Sequence, residues 1–115
     1  MVKTKTEVKK LIEEYAIALS SVITVDKIIL YGSYADGHPK EWSDIDIAVI
    51  SRDFKGKDRF EIQEVLAEKH VGCSSYLEPI GYSLEEYENA HYLTFLGEIK
   101  RTGIVIYEAE KQDDS

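Results

Sequence analysis

Apolar residues recur at Val8, Leu11, Ile12, Tyr15 and Leu19. This i, i+3, i+4, i+7, i+11 spacing draws one stripe down a helix and predicts that helix over residues 5–20. The pattern then changes. The run 27-KIILY-31 is short, β-branched and stopped by Gly32, and 45-IDIAVIS-51 repeats that character after the loop 34-YADGHPKEWS-43. Both read as buried strands. Asp58 followed three residues later by Glu61 forms a capping-box pattern that opens a helix through His70, with Ile62, Val65, Leu66 and Lys69 on one face. A third strand is expected in 73-CSSYLEPI-80. Ser83 with Glu86 repeats the capping pattern, helical character runs on to Gly103 with a break near Asn89, and 104-IVIY-107 reads as a closing strand. Strands alternating with helices predict an α/β (α+β) fold, a small mixed β-sheet flanked by helices.

Length and charge narrow the picture. A chain of 115 residues has room for one core, so residues 1–109 are read as a single domain and 110-EKQDDS-115 as a disordered tail. No apolar run approaches the roughly 20 residues that cross a bilayer. The basic start MVKTKTEVKK leads into an acidic amphipathic stretch and not into the apolar core of a signal peptide, so a cytoplasmic protein with no membrane association is expected. Cys73 is the sole cysteine, which leaves no internal disulfide and no cysteine cluster for metal; it reads as a small core residue. The formal charge of −8 argues against direct nucleic-acid binding, which needs clustered Lys and Arg. Acids such as 13-EE-14 and 85-EE-86 are solvated helix faces. The informative acids are those set in apolar sequence.

Three features carry chemistry. The first strand ends in Gly32-Ser33, which places backbone N–H groups and a hydroxyl at the start of a short helix, where phosphate is favoured. By itself Gly-Ser is a common turn dipeptide. Asp44 and Asp46 stand at i and i+2, a spacing that puts both carboxylates on one face with Cα atoms about 6.6 Å apart, while Ile45, Ile47 and Val49 fill the other. Oxygen donors of this kind suit Mg²⁺ or Mn²⁺; an isolated D-x-D is more often a strand entrance bonded to its own loop. Glu78, within 76-YLEPI-80, is the candidate third carboxylate for two metals about 3.5–4 Å apart, or otherwise a strand-end acid beside a proline. Chance explains each feature separately far better than all three together. His38 and Lys40 read as solvated loop positions that could touch phosphate; His70 and His91 as packing or surface residues; and most of the eight tyrosines as core or half-buried packing.

With these residues in place, the chain resembles the minimal nucleotidyltransferases, a branch of the DNA polymerase beta superfamily marked by a strand, Gly-Ser and an S-D-x-D strand. Gly32, Ser33, Ala35, Gly37, Ser43, Asp44, Asp46 and the apolar run to Val49 carry the likeness, which extends less sharply to 77-LEPI-80 and 98-EIKRTGIVIY-107. The resemblance implies the nucleotidyltransferase fold. It further implies transfer of a nucleoside monophosphate, with ATP the favoured NTP, to an acceptor hydroxyl with release of pyrophosphate. Asp44, Asp46 and Glu78 would be the catalytic, metal-binding acids, and Gly32, Ser33 and Ser43 would hold the triphosphate. The third acid of the family is often Asp, so Glu78 departs from the pattern. Larger relatives continue into a helical substrate domain, whereas small members pair with a separately encoded HEPN-type helical protein as antitoxin to its toxin, in some cases by adding AMP to a tyrosine. Two readings stay open: a catalytic antitoxin-type subunit, and a contact-only partner-binding or nucleotide-binding module. The tyrosines and an edge strand could also support a homo-oligomer.

Overall fold

A computed structural model describes residues 3–39, 44–70 and 76–109, with the side chain of His70 excluded. Its elements run α1 (Lys5–Leu19), β1 (Lys27–Tyr31), α2 (Ser33–Asp36), β2 (Ile45–Ser51), a 3₁₀ turn (Arg52–Phe54), α3 (Arg59–His70), β3 (Leu77–Ser83), α4 (Leu84–Glu88), α5 (Phe95–Thr102) and β4 (Ile104–Glu108). The sheet order is β3-β2-β1-β4. The pairs β1/β2 and β1/β4 are antiparallel and β2/β3 is parallel, so the sheet is mixed, as expected.

The helices begin where side chains can satisfy their first N–H groups. Thr4 accepts from the Glu7 amide while Glu7 accepts from that of Thr4, and Ser83 and Glu86 make the same reciprocal box. Asp58 accepts from the Glu61 amide at 2.8 Å. The predicted helical stretch after Ser83 divides at Asn89, which caps α4, and restarts at Thr94, whose hydroxyl accepts from the Gly97 amide.

Alternation along the strands gives the sheet two apolar faces. One carries Ile28, Leu30, Ile45, Ile47, Val49 and Leu77 and packs against Val8, Ile12, Tyr15 and Leu19 of α1 and Ile62 and Leu66 of α3. The buried Tyr15 hydroxyl donates to the Leu66 carbonyl at 2.7 Å and so ties the two helices together. The other face carries Ile29, Ala48 and Ile50, covered by Tyr87, Leu96 and Ile99 from the C-terminal helices. That cover is partial.

A parallel pair needs a crossover, and α3 supplies it between β2 and β3. The third strand lies later than expected, at Leu77–Ser83 and not 73–80; residues 71–75, including Cys73, lie outside the described residues, as do the tail 110–115 and the loop 40–43. Pro79 and Gly81 are strand breakers on sequence grounds. Here β3 is an edge, where proline is tolerated, and its pairing continues through Gly81↔Val49 and Ser83↔Ser51. Gly81 is also where α3 and the 3₁₀ turn press on the sheet: a Cβ there would run into Ile62 Cγ2 and lie 2.9 Å from Phe54 Cε2 and 3.2 Å from Leu66 Cδ1. Among the described residues no helix is long and apolar enough to cross a membrane.

Gly81→Ala should therefore destabilise the fold by about 1–3 kcal/mol, the range for overpacking a filled core. Urea unfolding of the two proteins measures this; an unchanged midpoint would mean that α3 does not sit this close to β3.

Candidate active site

At the end of β1 the chain must turn sharply, and Gly32 does so at φ 76°, ψ −153°, a region closed to residues with a Cβ. Space imposes the same choice, because a Cβ on Gly32 would strike Asp46 Oδ2 and lie 3.3 Å from its Cγ. Gly32 thus brings its backbone against the Asp46 carboxylate. The single helical turn α2 follows, with the Ala35 and Asp36 amides both donating to the Gly32 carbonyl at 3.0 Å. The Ser33 and Tyr34 amides come ahead of these and have no acceptor within the helix.

Strand registry then assembles the acids. Tyr31 pairs with Asp46 across β1/β2, and Asp46 pairs with Glu78 across β2/β3, so the three form one row across the sheet. Alternation puts this row on the face of Ile29, Ala48 and Ile50, where the C-terminal helices reach Tyr31 but leave Glu78 exposed. Tyr31, Asp46, Glu78, Pro79 and Ile80 line an open cleft there together with Arg59 and Gln63 of α3. Asp44 is exposed just before β2.

The acids act on one another. Burial pushes the Asp46 carboxyl above the usual carboxylate range, and the negative charges of Asp44 and Glu78 push it further. Burial likewise raises the Tyr31 phenol to about 12, with Asp46, Tyr82 and Glu78 adding to the shift. Tyr31 therefore stays a neutral hydroxyl at physiological pH. The guanidinium of Arg59 lies over the Tyr82 ring at 4.8 Å and 3.8 Å from Glu86. Among the described residues no three His, Cys, Asp or Glu side chains are gathered, as they stand, closely enough to hold a metal ion.

The structure sets Gly32 against Asp46 and Asp46 beside Glu78, while Asp44 stands exposed before β2 and Ser33 opens α2 without lining the cleft; Ser43 and Lys40 lie outside the described residues. His38 is exposed, and its amide donates to the Ser33 carbonyl at 3.1 Å. His91 is an exposed turn residue whose Nδ1 accepts from the Leu93 amide. Six of the eight tyrosines are buried or half-buried, with Tyr76 and Tyr92 exposed. Sequence reasoning did not single out Tyr31, Arg59 or Gln63. Tyr31 could have been found, since strand alternation from Ile29 puts it on the acid face. Nothing in the sequence marks Arg59 or Gln63, which reach the cleft only because α3 crosses over β3.

Comparison with known proteins shows the family and the fold. The family described as Polymerase beta, Nucleotidyltransferase matches residues 9–112. No curated protein matches the chain. Among solved structures, one from Sulfolobus solfataricus, assigned provisionally as a nucleotidyltransferase, superposes with a TM-score of 0.69 at 19% identity, covering 96% of this chain and 95% of that one. A toxin-antitoxin structure with AMP-PNP superposes with a TM-score of 0.60 at 18% identity over 90% of this chain and 75% of that one. At these identities the likeness is one of fold, and the fold is that of the nucleotidyltransferases.

The raised Asp46 carboxyl has a consequence for stability. The folded protein holds this proton more tightly than the unfolded chain, so its contribution is full below the ordinary value of 3.8 and is lost as pH rises through the folded value. In metal-free buffer Asp46→Asn should then raise the melting temperature at pH 7, with the gain vanishing as the pH falls below 3.8. A variant that melts below the native protein at pH 7 would show that the carboxylate is not under this repulsion.

Proposed function

The chain belongs to the polymerase beta nucleotidyltransferase family, and on that premise we propose that it transfers a nucleoside monophosphate, AMP before others, from an NTP to an acceptor hydroxyl. One observation carries this reading: the row that sets Asp46 beside Glu78 with the Gly32 backbone against it. Acids set side by side in this way, with Asp46 raised by burial and by its neighbours' charge, are short of positive charge, since Arg59 in the same cleft is turned to Tyr82 and Glu86. A hard divalent cation fits that deficit and an oxygen-only donor set that does not close on itself, because Mg²⁺ and Mn²⁺ keep positions for substrate phosphates. Asp44, Asp46 and Glu78 would hold it, and when bound it supplies charge stabilisation at the reacting phosphoryl group.

The remaining work falls to the chain itself. The Gly32 turn and the Ser33 and Tyr34 amides would receive the triphosphate at the head of α2. Glu78, exposed beside Asp46, would take the acceptor's proton. The acceptor oxygen forms its bond to the α-phosphorus, the bond from that phosphorus to the bridging oxygen breaks, and pyrophosphate leaves. The acceptor we propose is a hydroxyl on a partner protein, with a HEPN-type helical toxin as the partner in an antitoxin pair. An NTP donor agrees with a cytoplasmic setting.

A second reading keeps the partner and drops the chemistry. It draws on the same open acid set, which forms no metal cage among the described residues, and on the toxin-antitoxin likeness in fold. In that case the subunit neutralises by contact.

Calorimetric titration with ATP, GTP, CTP and UTP should show binding that requires Mg²⁺ or Mn²⁺ and disappears in Asp44→Asn/Asp46→Asn; equal binding by that variant would remove the acids from the site. Transfer of labelled AMP to a partner should fall to background in Asp46→Asn. If this inactive protein still neutralises the partner in full, contact and not catalysis is the function.

A further inference from the structure

One apolar feature beside the acid row has no role in the chemistry above. Phe95, the first residue of α5, is 52% exposed, and its ring meets that of Tyr31 edge to face, with centroids 5.6 Å apart and planes at 85°. An aromatic ring is thus held half in water against the first member of the acid row. The turn before it is firmly built. The Thr94 amide and hydroxyl both donate to the His91 carbonyl, at 3.0 and 2.6 Å, and the Thr94 hydroxyl accepts from Gly97. Gly97 lets His91 and Tyr92 lie directly on α5, since a Cβ there would strike the His91 carbonyl and lie 2.8 Å from Tyr92 Cα. Phe95 is thus presented by a fixed scaffold and not by a loose loop.

We propose that Phe95, backed by Tyr31, is the platform on which the nucleobase of the NTP stacks. This rests on the reading of the acid row as an NTP site. Neighbouring strands lie about 4.8 Å apart, so Tyr31 stands one strand from Asp46, and Phe95 stands one ring contact beyond Tyr31. A nucleotide with its α-phosphate over Asp46 and Glu78 passes its ribose by Tyr31 and lays its base on Phe95. The edge-to-face contact engages one side of the pair and leaves ring surface for the base. No charged donor takes part, so the platform accepts any base, and purines, with the larger π-face, bind more tightly than pyrimidines.

The test compares ligands that have and lack a base. ATP, CTP and inorganic tripolyphosphate are titrated in Mg²⁺ buffer into the native protein, Phe95→Ala, Phe95→Leu and Phe95→Trp. Removing a stacking ring weakens nucleotides by roughly ten-fold or more. The expected result is that loss for ATP in Phe95→Ala and Phe95→Leu, a smaller loss for CTP, unchanged tripolyphosphate affinity, and ATP binding retained by Phe95→Trp. Unchanged ATP affinity in Phe95→Ala, or native affinity in Phe95→Leu, would overturn the platform while leaving the phosphate and acid site intact. Equal loss of ATP and tripolyphosphate would also overturn it, by showing that Phe95 supports the fold. A native protein that binds none of the three would overturn the NTP reading and this inference with it.

Discussion

The parallel register of β2 against β3 is the constraint on which the rest depends. With Asp46 opposite Glu78, two acids far apart in sequence share one row. A slip of one residue would send Glu78 to the helix-covered face and set Leu77 beside Asp46, because side chains alternate. Packing holds the register: α3 seats Ile62 and Leu66 on β3 at Gly81, where any larger residue would hold it away, and each buried aliphatic side chain contributes about 1.5–3 kcal/mol. Core and site are therefore one problem, since the same crossover that buries α3 also brings Arg59 and Gln63 to the cleft.

Electrostatics pulls the other way. The fold places Asp46 in partly apolar surroundings within reach of two further negative charges, which makes the ionised carboxylate less stable there than a neutral group. Proteins tolerate such an arrangement where charge is needed for function. The raised Tyr31 phenol belongs to the same field, and its neutrality keeps it from adding a third negative charge to the row of Asp46 and Glu78.

Much of this was legible in the sequence, for physical reasons. Strand alternation placed Ile45, Ile47 and Val49 opposite Asp46, and all three are buried. Reciprocal capping at Ser83 and Asp58 located two helix starts, because the pairing is local. Strand β3 was expected to end at Ile80, before Gly81, but it runs on to Ser83, because Gly81 is held in the sheet by a helix that needs the missing Cβ. Gly32 was read as a phosphate turn, but its contact with Asp46 is tertiary and needed coordinates. Arg59 and Gln63 in the cleft, and Phe95 against Tyr31, were invisible for the same reason: each is brought there by packing between elements distant in sequence.

The central claim is that Asp44, Asp46 and Glu78 form one cation and nucleotide site. Anomalous diffraction from crystals grown with Mn²⁺ and a non-hydrolysable ATP analogue tests it most directly. Manganese density is expected at Asp44, Asp46 and Glu78, with the triphosphate at the Gly32 turn. Ordered nucleotide with manganese bound elsewhere, or away from these carboxylates, would contradict it.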